Sequence, residues 1–569
     1  MNKQASSFWR SALPGAAALL LATILAGGNQ GNSQKPVASR MGQAVDWTAH
    51  YVHYPQGASL RALAISQRDP RAFWNYLNLM NRANQESLLA SAERSQPPRR
   101  LSRPRAPIVD WSVELGAAGT AVTQYPAKYS FDVNATPDCT KDFVVFAINS
   151  APSATQANIA AFNNLYSGAN IGGNPPLCSG GAPSTLWAYR AGTARIATSP
   201  VLSLDGTKVA FVDNANPAVF HVLTWSAADG GTVPAPATPT AGEIVNLTLT
   251  GATTDPDSSP FVDYYNDFAY VGTNNGRLYK ITGVFHGTPA LAGAPWPITG
   301  LGTALTSPVI DFSTGNIFIG NAAGQLYGFT SAGAAITGSP ATIGNGGAHG
   351  MLADPVLVDG LNGLLYVATG RNTAAGTAIV AQVSTSNLSS PVVASIGSNN
   401  VTTIHAPAFN APYFSGMSNG SGTAQWFLYV CGLANGPATS PVLYRVGFNG
   451  SPGTMKTAVD ATTVSLSANN GEQCSPLTEF QNGVDRLFLG LLTSAFVEYF
   501  DISTTTTPTL GAQVSEAGGT SGIIVDNVSS AVQASSIYFS TEANSAACRV
   551  AGANHRCAVK LTTQGGTLQ

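Results

Sequence analysis

The sequence predicts an all-β fold: a β-propeller of eight four-stranded blades, with seven as the alternative, closed by an N-terminal strand and preceded by a short helical segment. Three observations carry this. A phrase of Ser-Pro, a few apolar residues, a turn and a short aromatic strand recurs. It reads TSPVLSLDGTKVAFV from Thr198, SSPFVDYYNDFAYVG from Ser258 and TSPVIDFSTGNIFIG from Thr306, with weaker copies from Ala353, His405 and Cys474. The 569 residues exceed one ordinary core, which a ring of blades accommodates. The composition is turn-rich, with 59 Gly, 35 Pro and 10% charged residues, yet 44% is hydrophobic, which excludes a disordered chain.

The elements follow in order. Lys3 and Arg10 flank the start of an apolar run, Ala12 to Ala26, which ends in the small residues Ala26, Gly27 and Gly28. This reads as a signal peptide over residues 1–28, and the run is shorter than the ~20 residues of a spanning helix. No membrane span is expected after cleavage. Residues 29–95 are read as a helical N-terminal segment. Within it, 29–57 lack strong periodicity, Ser59 to Ser66 suits a short helix, and Asp69-Pro70 caps and opens a longer one to about Arg94. Phe73, Leu77 and Met80 share a face of that helix and need an apolar partner, which suggests a plug or clamp on the propeller. Residues 96–107, rich in Pro and Arg, read as an extended linker, with a protease-sensitive site at Arg99-Arg100 as an alternative.

The propeller is expected over 108–569. Pro126, Pro200, Pro260, Pro308, Pro355, Pro407 and Pro476 open innermost strands, where a missing N–H is tolerated. An eighth run, from Gly522, lacks the proline. Second strands such as KVAFVD and NIFIGN, and third strands such as GRLYKITG and GQLYGFT, are apolar enough to be buried between stacked blades. The eighth unit ends after its third strand. VDWSVELG, Val109 to Gly116, is similar to LWAYRAG, Leu186 to Gly192, the expected fourth strand of blade 1, and is expected to complete blade 8.

Six cysteines suit an exported protein. Many pairings are open; the economical one joins sequence neighbours, Cys139 with Cys178, Cys431 with Cys474 and Cys548 with Cys557. Charge is unevenly placed. Residues 1–107 carry 13 Lys and Arg against 4 Asp and Glu, while 108–569 carry 14 against 25. An acidic repeat region argues against nucleic acid as a partner.

The phrase, best seen at Ser259 to Thr282 and Ser307 to Thr330, resembles the quinoprotein-like (PQQ-like) propeller repeat over most of residues 108–569. SPVLSLDGTKVAFV is also similar to the TolB-type propeller repeat. As a whole the chain resembles uncharacterised secreted propeller proteins of bacteria. The resemblance implies the fold. Quinoprotein dehydrogenases hold PQQ and calcium and carry a disulfide between adjacent cysteines; no two cysteines are adjacent here, and the family's Trp docking motif is missing, so PQQ is not expected. The related outer-membrane assembly scaffold is non-catalytic and usually lipidated; this chain has no cysteine near the expected cleavage site.

Position in the repeat then names candidates. Two places before the prolines stand Thr198, Ser258, Thr306 and His405, which should line one mouth of the channel as ligand-binding residues. His349 and Glu472 lie in the same loops. With His405 they form a candidate catalytic or metal-binding set, since two imidazoles and a carboxylate suit acid–base work. The alternative is that each bonds loop backbone and water. Asp255, Asp257, Asp263 and Asp267 are the densest acidic stretch; oxygen-rich loops suit calcium, and turn-forming Asp is the alternative. No GxSxG, HExxH or P-loop motif occurs. The expected function is binding: a secreted or periplasmic monomer acting as a scaffold or recognition module for a protein or glycan. No cofactor is expected, with calcium a candidate. A lyase or hydrolase at the channel mouth is the alternative, and a PQQ- or calcium-dependent oxidoreductase the second alternative.

Overall fold

Each Pro phrase leads into the innermost strand of its own sheet. The structure is a computed structural model that describes residues 42–53, 60–71 and 107–563, apart from 117–122, 134, 171–174, 254–256, 375, 398–401, 416–425, 437–438, 450–452, 483, 505–506, 517, 527–532 and 543–555. All described residues belong to one unit, Met41–Gln569. They form eight sheets, the blades of an eight-bladed β-propeller.

Blade 3 shows the plan. Phe261–Asp263, Phe268–Gly272, Leu278–Thr282 and Ala290–Leu291 pair antiparallel from the channel outward. In the second strand every residue from Ala269 to Gly272 is buried, because neighbouring blades cover both faces. The same burial marks Asn316–Gly320 and Leu364–Thr369, which explains why these runs are almost wholly apolar instead of alternating.

The ring closes as the sequence implies. Pro107–Gly116 pairs antiparallel with Arg556–Thr563 as the outermost strand of blade 8. A buried ionic cluster fastens this seam to blade 1. Asp110 accepts from Lys560 Nζ at 2.7 Å, Thr562 Oγ1 at 3.0 Å and Gln533 Nε2 at 2.9 Å, and Lys560 Nζ also donates to Leu165 O at 2.8 Å. Nearer the channel, Lys128 of blade 1 pairs with Asp526 of blade 8 at 2.8 Å. Both lysine side chains are fully buried. Burial lowers the Lys560 pKa, and the Asp110 charge opposes that.

Disulfides join Cys139 to Cys178 and Cys431 to Cys474, as sequence proximity suggests. Cys557 is also disulfide-bonded; Cys548 lies outside the described residues. So do the expected signal peptide, the longer helix beyond Arg71 with Phe73, Leu77 and Met80, and linker residues 96–106. The helix starts as expected: Pro70 and Arg71 are helical, and Asp69 Oδ1 accepts from Arg71 N at 2.9 Å. The short helix is Leu60–Ser66. Among the described residues no helix is long and apolar enough to cross a membrane.

Residues 42–53, which show no strong periodicity in sequence, form two short strands and a helical turn. Gln43–Val45 pairs antiparallel with the innermost strand of blade 1, Ala127–Ser130. Val52–His53 pairs parallel with the innermost strand of blade 5, Leu357–Asp359. In an eight-bladed ring these blades stand opposite each other, so the segment crosses the channel. A four-residue helix, Thr48–Tyr51, makes the crossing. Trp47 Nε1 donates to Pro260 O of blade 3 at 3.2 Å, and the Tyr51 and Tyr125 hydroxyls meet at 3.0 Å. Trp47 and Tyr51 are 1% and 0% exposed, which identifies the segment as part of the core. Arg71 returns to bind Asp46 at 2.9 Å and Asp69 at 2.8 Å, with its guanidinium over the Tyr264 ring.

Candidate functional site

The serines of the Pro phrase link blades 1 to 4. Tyr125 N donates to Ser199 Oγ at 2.9 Å, Ser199 N to Ser259 Oγ at 2.7 Å, and Ser259 N to Ser307 Oγ at 2.8 Å. The residue before each serine bonds its own second strand. Thr198 Oγ1 donates to Val212 O and accepts from Val212 N, Ser258 Oγ accepts from Gly272 N at 2.8 Å, and Thr306 Oγ1 accepts from Gly320 N at 2.9 Å. These three hydroxyls are therefore occupied within their blades.

Two substitutions in the phrase build something different. Blade 5 has Asp354 at the position of Ser199, Ser259, Ser307 and Ser475, and blade 6 has His405 at the position of Thr198, Ser258 and Thr306. Asp354 Oδ1 meets His405 Nδ1 at 3.0 Å, and Asp354 Oδ2 accepts from Ala406 N at 2.6 Å. Both residues are buried, and among the described residues His405 Nε2 has no hydrogen-bond partner. A carboxylate that holds Nδ1 leaves Nε2 as the acceptor, the arrangement of a general base.

The channel segment supplies the neighbouring groups. The His50 ring lies 4.8 Å from that of Tyr51 and 5.6 Å from that of Tyr125. Burial pushes the His50 imidazole down to about 4, against the opposing pull of the Asp354 carboxylate. Burial, reinforced by Asp354, raises the Tyr51 and Tyr125 hydroxyls well above their ordinary range. Beside the segment, toward blades 5 to 7, a cavity of about 370 Å³ remains, lined by His50, His53, Phe409, Phe414 and Glu479. Burial and the nearby Asp485 charge hold the Glu479 carboxyl protonated well above the usual range.

The His50 shift makes a pH prediction. The unfolded chain takes up a proton near 6.5, the folded one near 4, so the unfolded state binds more protons between these values. The stability from a neutral buried imidazole is full above about pH 6.5 and is lost as pH falls toward 4, by on the order of 3 kcal/mol. His50→Gln should flatten that limb in urea midpoints taken from pH 4 to 7. The comparison must be against wild type, because burial raises Glu498 to about 7 and acts in the opposite sense. Parallel profiles would show that His50 does not contribute to the pH dependence of stability.

The other expected site residues are placed separately. Glu472 is buried and accepts from Ser494 N at 2.5 Å and Ser494 Oγ at 2.7 Å, in the turn between strands Val484–Leu491 and Phe496–Asp501 of its following blade. His349 is half-buried at the end of the short helix Gly347–Gly350. Asp263 accepts from Tyr265 N and Asn266 N, and Asp267 accepts from Phe285 N and His286 N, so both cap turns. Asp257 is exposed, and Asp255 lies outside the described residues. Among the described residues no three His, Cys, Asp or Glu side chains converge to hold a metal ion. Sequence reasoning missed Asp354, His50, Tyr51 and Tyr125; only Asp354 left a signal, as the acid in a serine position.

No protein-family model matches the chain, and no curated protein does. Similar solved structures include BamB from Moraxella catarrhalis, at 13% identity and a TM-score of 0.40, covering 80% of this chain and 97% of that one. Sqt1 from Saccharomyces cerevisiae is similar at 8% identity and 0.42, covering 81% and 100%. Hsv2 from Kluyveromyces lactis is similar at 11% identity and 0.35, covering 66% and 96%. At these levels the likenesses carry no argument about function, and the fold rests on the eight sheets themselves.

Proposed function

We propose that this chain is an exported, monomeric binding or scaffold module that engages a protein or glycan partner through its faces. The observation that supports this reading is the filled channel: Trp47, Tyr51 and Val52 occupy the space in which a propeller enzyme would hold substrate between its innermost strands. The disulfides fit a secreted or periplasmic location. The proposal includes no PQQ, because adjacent cysteines are missing from the sequence, and no calcium, because Asp263 and Asp267 already serve turns.

A second reading has its own observation. The Asp354–His405 pair could serve a lyase or hydrolase at the mouth. One experiment separates the two. Native mass spectrometry of the exported protein should reveal a stoichiometric partner that reassembles from purified components and is retained by His405→Ala. Turnover of a panel of lactones, esters and glycosides that disappears in His405→Ala, with no partner retained, would replace the binding reading with the enzymatic one.

A further inference from the structure

The face opposite the mouth carries a second cavity, of about 740 Å³, between the turns of blades 3 and 4 and the N-terminal segment just after the helix Leu60–Ser66. This volume lies within the range of small-ligand sites. Tyr265 lines it and is 71% exposed, whereas the other exposed large apolar side chains among the described residues lie between 37% and 49%. Its turn is held at both ends. Asp263, itself 8% exposed, accepts from Tyr265 N at 3.1 Å and from Asn266 N and Nδ2. Asp267, at a left-handed φ of 56°, accepts from Phe285 N and His286 N. The exposed ring is thus presented by a rigid turn, which lowers the ordering cost of binding.

The remaining walls are both apolar and hydrogen-bonding. Phe268 lies under the Lys280 ammonium at 4.1 Å, and among the described residues Lys280 makes one long bond, 3.4 Å to Ser331 O, leaving donors for a ligand. Burial lowers the Lys280 pKa, and Asp263 opposes this. Gln67 and Arg68 add an amide and a second cation from the N-terminal segment. Asp263, the carboxylate in the lining, is engaged by its own turn. Two cations, the Gln67 amide and an exposed ring therefore meet beside a repeat region that carries a net negative charge.

We infer that this cavity binds an acidic saccharide, one sugar face stacked on Tyr265 and a uronate carboxylate between Arg68 and Lys280. The inference rests on the binding reading above and names the ligand class. An aromatic ring beside the Gln67 amide matches the apolar face and hydroxyl edge of a pyranose, and the cations match its carboxylate.

The test is calorimetric titration of the mature full-length chain with hexagalacturonate and, separately, with neutral cellohexaose. Hexagalacturonate should bind with saturation, at least about tenfold more tightly than cellohexaose. Tyr265→Ala and Lys280→Gln should each weaken it by about tenfold or more with an unchanged circular dichroism spectrum. No saturable binding at millimolar sugar, equal binding of the neutral oligomer, or binding that survives both substitutions would overturn the inference. Any of these results together with a reassembling protein partner retained by Tyr265→Ala would leave the binding reading standing while removing the saccharide from this cavity.

Discussion

Trp47→Ala is expected to destabilise the protein by about 3–5 kcal/mol, the cost of emptying a large buried aromatic site. The side chain is 1% exposed, packs edge-on against Tyr51 and Phe261 at 5.7 and 5.8 Å, and donates to Pro260 O. Its loss leaves both a void and an unpaired carbonyl between blades 1, 3 and 5. Guanidinium unfolding followed by tryptophan-independent circular dichroism measures it. A change within about 0.5 kcal/mol, the scatter of surface substitutions, would mean that the segment is loosely attached and contributes little to the ring.

Asp110→Ala is expected to cost a similar 3–5 kcal/mol, because it strands a fully buried lysine. Lys560 would keep Leu165 O, its place near the Tyr166 ring and the charge of Asp526. The loss belongs to the seam between the first and last blades, so it should appear as lower resistance to unfolding. Replacing both partners, Asp110→Leu with Lys560→Met, should recover a large part, since an apolar pair needs no compensation. A double variant no better than Asp110→Ala would assign the loss to Gln533 and Thr562, which also bond Asp110.

The parts of the fold that repeat were legible. In blades 2 to 4 the Ser-Pro phrase encodes two hydrogen bonds, one to the blade's own second strand and one to the blade before it, and its recurrence marks the repeat. The N-terminal segment was not legible. Gln43–Val45 and Val52–His53 are too short to show a period of two, and each pairs with a strand far away in sequence. The buried lysines gave no signal either, because Lys128 and Lys560 sit in alternating strands where a charge reads as solvent-facing. At the mouth, His405 was visible as a departure from the phrase and Asp354 was overlooked beside it. In the acidic stretch from Asp255 to Asp267, sequence drew attention to the carboxylates, whereas in the structure Asp263 and Asp267 brace the turn that carries Tyr265.

The central claim is that the chain closes its own channel, which moves recognition to the faces. Hydrogen–deuterium exchange of the native protein over residues 43–53 tests it most directly. The amides of Ala44, Val45, Val52 and His53 should be protected to the same degree as those of the innermost strands Ala127–Ser130 and Leu357–Asp359, since they share their ladders. Exchange of this segment at the rate of an unfolded chain, with the blades still protected, would contradict the account and return the open channel to consideration as the working site.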